Sequence, residues 1–342
     1  MRGLIFFVLT LLIGAAAGIY ADRNEPTRSL IGDLYGRLLG SNVVLTDNSG
    51  VEVAPRHFGS EPFTNEDLQL FSLRKCLKKP EREPPAGAVW LDPADRRPSL
   101  NDQVPPAVFP DLADHPGLVK FEIIQSPRGT ERTHCAGVRI SEHWFLTAAH
   151  CFEETDPGKR KPIYDVIAIS QTEDVRTEGA LATSITGAVC HASHGITYYK
   201  YPNDVALFYL DDVVAFEGVP IATLEDDDMR LNATSFDNAY YAAWGSNGGS
   251  RFLTGGPMRL DEIGEAVLNG AGSGSVSPAV GDSGSPLYVD YGDGPLVVGV
   301  LSQSNPGEAF DERVAVYVRV KSVRGWVERT MAMCEQNGRY VC

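Results

Sequence analysis

The sequence predicts an all-β domain, a barrel or a sandwich, with one C-terminal helix and a proline-rich N-terminal extension. From about residue 112 onwards, short apolar runs recur between turn-forming Gly, Asn, Asp and Pro residues. Their length and their β-branched and aromatic content favour strands over helices. Many short strands of this kind are typical of all-β barrels and sandwiches. The clearest runs cover residues 118–124, 144–147, 205–210, 240–244, 295–301 and 314–320.

The single helix that we expect in this domain lies near the C-terminus. Val323, Trp326, Val327 and Met331 share one face of a helix because they follow i, i+3, i+4, i+8 spacing.

The extension is marked by its prolines. Residues 80–110 contain eight of them, a density that excludes regular helix and central strand. We interpret this stretch as a linker or wrapping arm. Residues 22–111 are therefore expected to be a pro-segment or N-terminal extension, and residues 112–342 the main domain.

The first 21 residues resemble a targeting segment. Arg2 precedes an apolar stretch over residues 4–18, and small residues follow where a signal peptidase could cut. The alternative is an uncleaved membrane anchor, for which the stretch is borderline in length. Both interpretations place the rest of the chain in an oxidising compartment, secreted or periplasmic.

Composition narrows the function classes. The chain has 342 residues, 43% of them hydrophobic, and a formal net charge of −15, which disfavours binding to nucleic acid phosphates. Six cysteines in an exported chain indicate disulfides. No Cys-x-x-Cys pair or histidine cluster occurs, so we expect neither a metal site nor a cofactor.

Three motifs carry residues suited to acyl transfer. His150 stands in Thr-Ala-Ala-His-Cys, Asp204 precedes an apolar run in Asn-Asp-Val-Ala-Leu, and Ser283 lies in Gly-Asp-Ser-Gly-Ser-Pro. A serine hydroxyl becomes a useful nucleophile when a base such as histidine takes its proton. Each residue also has an ordinary explanation: a buried histidine, a turn aspartate and a flexible glycine–serine loop.

Together these motifs resemble the trypsin-like serine proteases, with weaker similarities at residues 243–245, 298–302 and 316–320. The resemblance covers about residues 112–342 and implies two perpendicular six-stranded β-barrels with the site between them. It also implies roles: His150 as general base, Asp204 as the residue that orients it, and Ser283 as nucleophile. The amides of Gly281 and Ser283 would form the oxyanion hole. A Cys135–Cys151 disulfide would fix the histidine turn.

The chain departs from this family at the substrate pocket and at activation. Ser277 stands at the expected pocket base, where trypsin-type enzymes carry an aspartate, and Ser302, Ser304 and Ala315 line the walls. A strong preference for Arg or Lys is therefore unsupported, since a charged group would be buried without a partner. A serine at position 285 replaces the second glycine that the family usually has after its serine. The cysteine pair that braces the loop carrying the serine in the family is missing here.

The family's Ile-Val-Gly-Gly start is also missing between residues 96 and 116. In the family a freed amino terminus pairs with the acid before the serine, here Asp282. Either a divergent processing site exists, or another group satisfies Asp282. For the remaining cysteines, closeness in sequence favours Cys334–Cys342, and leaves Cys76–Cys190 as a tether for the extension.

The predicted function is that of an exported serine endopeptidase, made as a zymogen, that acts on proteins or peptides through an acyl-enzyme. Two alternatives remain open: a catalytically silent binding protein of the same fold, and an esterase or amidase using the same triad. We expect contact with a membrane only if the N-terminal segment is uncleaved.

Overall fold

The computed structural model describes the chain over residues 45–46, 52–53, 73–76, 110–126, 131–152, 163, 165–169, 174–175, 182–191, 203–226, 231, 239–245, 252–272, 277–304 and 314–342. The expected signal segment and most of the extension, including nearly all of the proline-rich stretch, lie outside these residues. A short antiparallel pair, β1 (Leu45–Thr46) with β2 (Glu52–Val53), lies within the extension. Among the described residues, no helix is long and apolar enough to cross a membrane.

The first half of the main domain is an open, antiparallel half-barrel of eight strands. Their order across the sheet is β3-β9-β10-β6-β5-β4-β7-β8. The strands are β3 (Leu73–Lys75), β4 (Leu118–Ile124), β5 (Arg132–Arg139), β6 (Trp144–Thr147), β7 (Asp165–Ile169), β8 (Ala182–Ser184), β9 (Gly187–His191) and β10 (Ala206–Tyr209).

The second half is a closed barrel of six antiparallel strands, which β16–β17 pairing completes, with one parallel strand added at β16. The order is β11-β16-β15-β12-β13-β14-β17. The strands are β11 (Thr223–Leu224), β12 (Ala239–Ala243), β13 (Thr254–Ile263), β14 (Val267–Gly272), β15 (Pro286–Asp290), β16 (Pro295–Ser304) and β17 (Val314–Arg319).

Strand β10 shows why some of these runs are continuously apolar. Ala206 and Phe208 point into the core of the first half, while Leu207 and Tyr209 point into a second cluster shared with the C-terminal helix. Successive side chains of a strand face opposite sides of the sheet. A strand covered on both faces therefore needs apolar residues at every position.

The C-terminal helix α1 (Val320–Cys334) packs against the body of the domain. Val323, Trp326 and Val327 are buried on its inner face, and Met331 packs against the same cluster, as the spacing predicted. A disulfide from Cys334 to Cys342 ties the helix to the short hairpin β18 (Glu335–Gln336) and β19 (Arg339–Tyr340).

The predicted all-β class with a C-terminal helix is confirmed, and a strand covers most of each of the six apolar runs. The first half differs in detail from the six-stranded barrel that the resemblance implied. It has eight strands and is open among the described residues, and one of its edge strands, β3, comes from the N-terminal extension.

Candidate active site

His150 sits in a 3-10 turn (Ala149–Cys151) that begins two residues after β6 ends. Ala148 and Ala149 are completely buried, and Cys151 is bonded to Cys135 on β5. The Cys135–Cys151 pairing that the resemblance implied is therefore present. Small buried residues and a covalent cross-link fix the backbone of the turn, so the imidazole starts from a defined position.

Asp204 lies directly before β10 and holds this imidazole. Its carboxylate accepts a hydrogen bond from the His150 amide at 2.9 Å, and its Oδ2 lies 2.7 Å from His150 Nδ1. Asp204 is 1% exposed. Burial lowers the pKa of His150, but the charge of Asp204 and its hydrogen bond outweigh this effect, so the pKa lies above 6.5.

Asp204 also accepts a hydrogen bond from the second half of the domain. The Ser302 hydroxyl donates to Asp204 Oδ2 at 2.6 Å. The sequence interpretation placed Ser302 on the wall of the substrate pocket, and this contact was missed. Strand β16 has a bulge between Leu301 and Gln303, and a bulge re-aims the side chain at its centre. The sequence carries no signal for that bulge.

The serine loop, residues 277–285, packs on β5, on β16 and on the end of β6, just before the turn that carries His150. The Ala136 amide donates to the Ser283 carbonyl oxygen, and the Gly284 amide donates to Leu301, both at 2.8 Å. Gly284 has φ of +80°, and a Cβ there would clash with Thr147 Oγ1 and the Ala136 carbonyl oxygen. Only glycine at position 284 therefore allows the serine loop to approach β5 and the end of β6 this closely.

No hydrogen bond joins the Ser283 hydroxyl to the His150 imidazole among the described residues. Catalytic hydrogen bonds are often long before substrate binds. The amides of Gly281 and Ser283 likewise donate to no group in the described part of the chain. Gly281 has φ of +93°, a conformation that favours glycine. Both amides are thus available to an incoming oxygen.

Asp282 is a buried acid with an unsatisfied oxygen. Its Oδ2 accepts a hydrogen bond from the Ala279 amide at 2.8 Å. Its Oδ1 lies against Gly245 without a hydrogen bond of normal geometry. Burial raises the pKa of Asp282 to about 7, although the amides of Ala279 and Gly245 oppose the shift. No cation pairs with it in the described residues.

His134 is a neighbour of the serine loop that sequence reasoning did not single out. Its imidazole packs directly on Gly281, where any Cβ would overlap Nε2. Burial, helped by the charge of Lys120, lowers the pKa of His134 to about 4 despite Glu122. A neutral imidazole therefore borders one of the two candidate oxyanion amides near neutral pH.

The other predicted pocket residues lie along the edges of the serine loop and the β16–β17 pair. Ser277 is 2% exposed and Ala315 is 1% exposed. Ser304 is directly opposite Ala315 in the β16–β17 register. None of these three side chains carries a charge, so none of them could pair with a cationic substrate group.

One group of three potential metal ligands occurs among the described residues: Cys135, His150 and Cys151. The two sulfurs are bonded to each other, and thiolates, not disulfides, bind metals. This cluster is therefore unsuited to hold a metal ion.

The comparisons with known proteins agree with this geometry. A sequence model of the Trypsin family matches residues 113–327. The chain belongs to the trypsin family. Among solved structures, the scabies mite inactivated protease paralogue S-I1 superposes with a TM-score of 0.51 and 17% identity. The match covers 66% of this chain and 98% of the mite protein, and at this identity it supports the trypsin fold alone.

Proposed function

We propose that this trypsin-family protein is an exported serine endopeptidase that cleaves peptide bonds through an acyl-enzyme. The observation that carries the proposal is the His150–Asp204 pair, held at 2.7 Å, together with the serine loop hydrogen-bonded to β5 and β16. A buried carboxylate that fixes one imidazole nitrogen leaves the other, Nε2, to act as a base.

Ser283 Oγ attacks the carbonyl carbon and its proton passes to His150 Nε2. The oxygen that becomes negative accepts hydrogen bonds from the Gly281 and Ser283 amides. The C–N bond breaks as His150 returns the proton to the departing amine. Water then repeats the sequence on the acyl group and frees Ser283.

Activation is the second part of the proposal. A buried carboxylate with an unsatisfied oxygen, such as Asp282, is stabilised by a cation that can reach it. We propose that processing within the extension frees an amino terminus that pairs with Asp282 and sets the serine loop. Six cysteines that form three disulfides support export, because such bonds persist in oxidising compartments.

A fluorophosphonate probe tests the proposal on full-length and on proteolytically processed protein. We expect Ser283 to be labelled after processing, and Ser283→Ala and His150→Ala to lose labelling. Ser285→Ala is the matched control, since this buried serine lies in the same loop and its loss leaves the nucleophile in place. An intact processed protein that takes no label would contradict the proposal.

The catalytically silent alternative has two observations in its favour. Ser283 and His150 are not hydrogen-bonded to each other, and Asp282 is unpaired, in the described residues. Failure of both protein forms to react would support a binding role. Cleavage of a peptide library, compared with hydrolysis of simple esters, separates an endopeptidase from an esterase or amidase.

A further inference from the structure

Strand β3 belongs to the extension in sequence and to the main domain in structure. It pairs antiparallel with β9, with Leu73 opposite His191 and Arg74 opposite Cys190. The next residue, Cys76, donates its amide to the Ala188 carbonyl oxygen at 3.2 Å. Cys76 also forms a disulfide with Cys190, as closeness in sequence favoured. Strand β3 is therefore held at the edge of the sheet by backbone hydrogen bonds and by a disulfide.

Cys190 lies beside both segments that carry the His150–Asp204 pair. Its Sγ lies 3.8 Å from the carbonyl oxygen of Ala149, the residue directly before His150. Across the sheet Cys190 is paired with Ala206, two residues after Asp204. The Cys76–Cys190 bridge, with β3, therefore lies behind the turn that carries the base and beside the strand that follows the acid.

The residues between the bridge and the turn that carries His150 are buried in one apolar cluster. Cys190, Ala148 and Ala149 are all completely buried. They share one apolar cluster with the Cys135–Cys151 disulfide, so two cross-links pack on the histidine turn. Closely packed interiors transmit small displacements instead of absorbing them, and a displaced catalytic base loses much of its rate advantage.

We infer that β3 and the Cys76–Cys190 bridge position the His150–Asp204 pair, so that the segment around residues 73–76 is a working part of the enzyme. The inference rests on the proposed function for its catalytic consequence. The segment lies outside residues 113–327, which match the Trypsin family. A cut within the proline-rich stretch would leave it attached through the bridge.

The test opens the bridge in the full-length chain with Cys76→Ala and Cys190→Ala together, and the variant, control and parent proteins are all processed before their activity is measured. We expect kcat and the rate of fluorophosphonate labelling to fall about tenfold, with KM within about twofold, because the base is displaced while the substrate surface is kept. The matched control is Cys334→Ala with Cys342→Ala, which opens the other terminal disulfide. This control variant keeps the rate of the parent protein.

A second readout follows the His150 imidazole itself by NMR titration. Asp204 is the charged group that raises the pKa of His150 in the described residues. Opening the bridge loosens that contact, so the His150 pKa falls towards 6.5, while the control variant leaves it unchanged. This readout needs no catalysis. If processed wild-type protein took no label, the proposed function would be overturned, and the NMR titration would still test whether the bridge positions His150.

Folding of the variants is checked by near-UV circular dichroism. If the double variant does not fold, Arg74→Pro removes the amide opposite Cys190 and keeps the bridge; we expect the same changes in rate and pKa at smaller size. A folded variant of either kind with unchanged kcat, labelling rate and His150 pKa would overturn the inference.

Discussion

Replacing Asp282 with asparagine should stabilise the unprocessed protein at neutral and alkaline pH, and the gain should vanish in acid. The carboxyl is completely buried, and its pKa is raised from 3.8 to about 7. Below pH 3.8 both the folded and the unfolded chain carry the proton. Between pH 3.8 and about 7 only the unfolded chain has lost the proton, so the free energy of unfolding falls as pH rises. Above about pH 7 the folded chain has also lost the proton, and stability falls no further.

The size of the effect follows from the two pKa values. A change from 3.8 to about 7, at roughly 1.4 kcal/mol per pH unit, amounts to about 4 kcal/mol. Asparagine does not ionise and so escapes this cost. Urea unfolding at pH 4, 6 and 8 measures the difference between the two proteins, and Asp293→Asn, at an exposed position, is the control. A difference that is the same at pH 4 and pH 8 would refute a buried, unpaired carboxyl.

Processing should reverse the sign of this effect. Once a new amino terminus pairs with Asp282, the carboxylate is stabilised and its replacement leaves a buried cation without a partner. The processed Asp282→Asn protein is then expected to be less stable than the processed wild type at pH 8, and slower to react with a fluorophosphonate.

Three further predictions concern the active site and its frame. The rate kcat/KM should rise with pH through a pKa above 6.5 as His150 loses its proton, and a flat profile between pH 5 and 8 would exclude His150 as the base. Gly284→Ala should destabilise the fold by more than about 1 kcal/mol, because the residue has φ of +80° and a Cβ there would overlap neighbouring atoms. Gly218→Ala, where a Cβ would contact no other atom, should be near neutral in the same thermal unfolding assay. Arg319→Met should lower the free energy of unfolding by about 3–5 kcal/mol in a chemical unfolding experiment. The substitution leaves the completely buried Glu225 without the arginine that pairs with it at 2.7 Å. A loss of less than about 1 kcal/mol would contradict this.

The parts of the site that the sequence predicted are those with local causes. The alanines and cysteine around His150, and the glycines on either side of Ser283, shape their own turns, so these motifs can be recognised in a single chain. Asp204 was identifiable through its companions and the apolar strand after it. The Cys76–Cys190 and Cys334–Cys342 pairings were correct, although closeness in sequence is a weak reason for either.

The parts that were missed depend on contacts between distant strands. The direction of the Ser302 side chain follows from a bulge in β16, and the place of His134 beside Gly281 follows from the packing of the serine loop on β5. Strand β3 is three residues long, too short for a periodic pattern to be read. Its pairing with β9 depends on tertiary structure and not on propensity.

The bond between Ser302 and Asp204 joins the two halves of the domain at the site itself. The acid belongs to one lobe and the hydroxyl that steadies it belongs to the other. If the proposed function holds, reactivity depends on both lobes together, and neither lobe alone would keep the site. We expect a binder that shifts one lobe relative to the other to break the Ser302–Asp204 hydrogen bond and so to displace the acid.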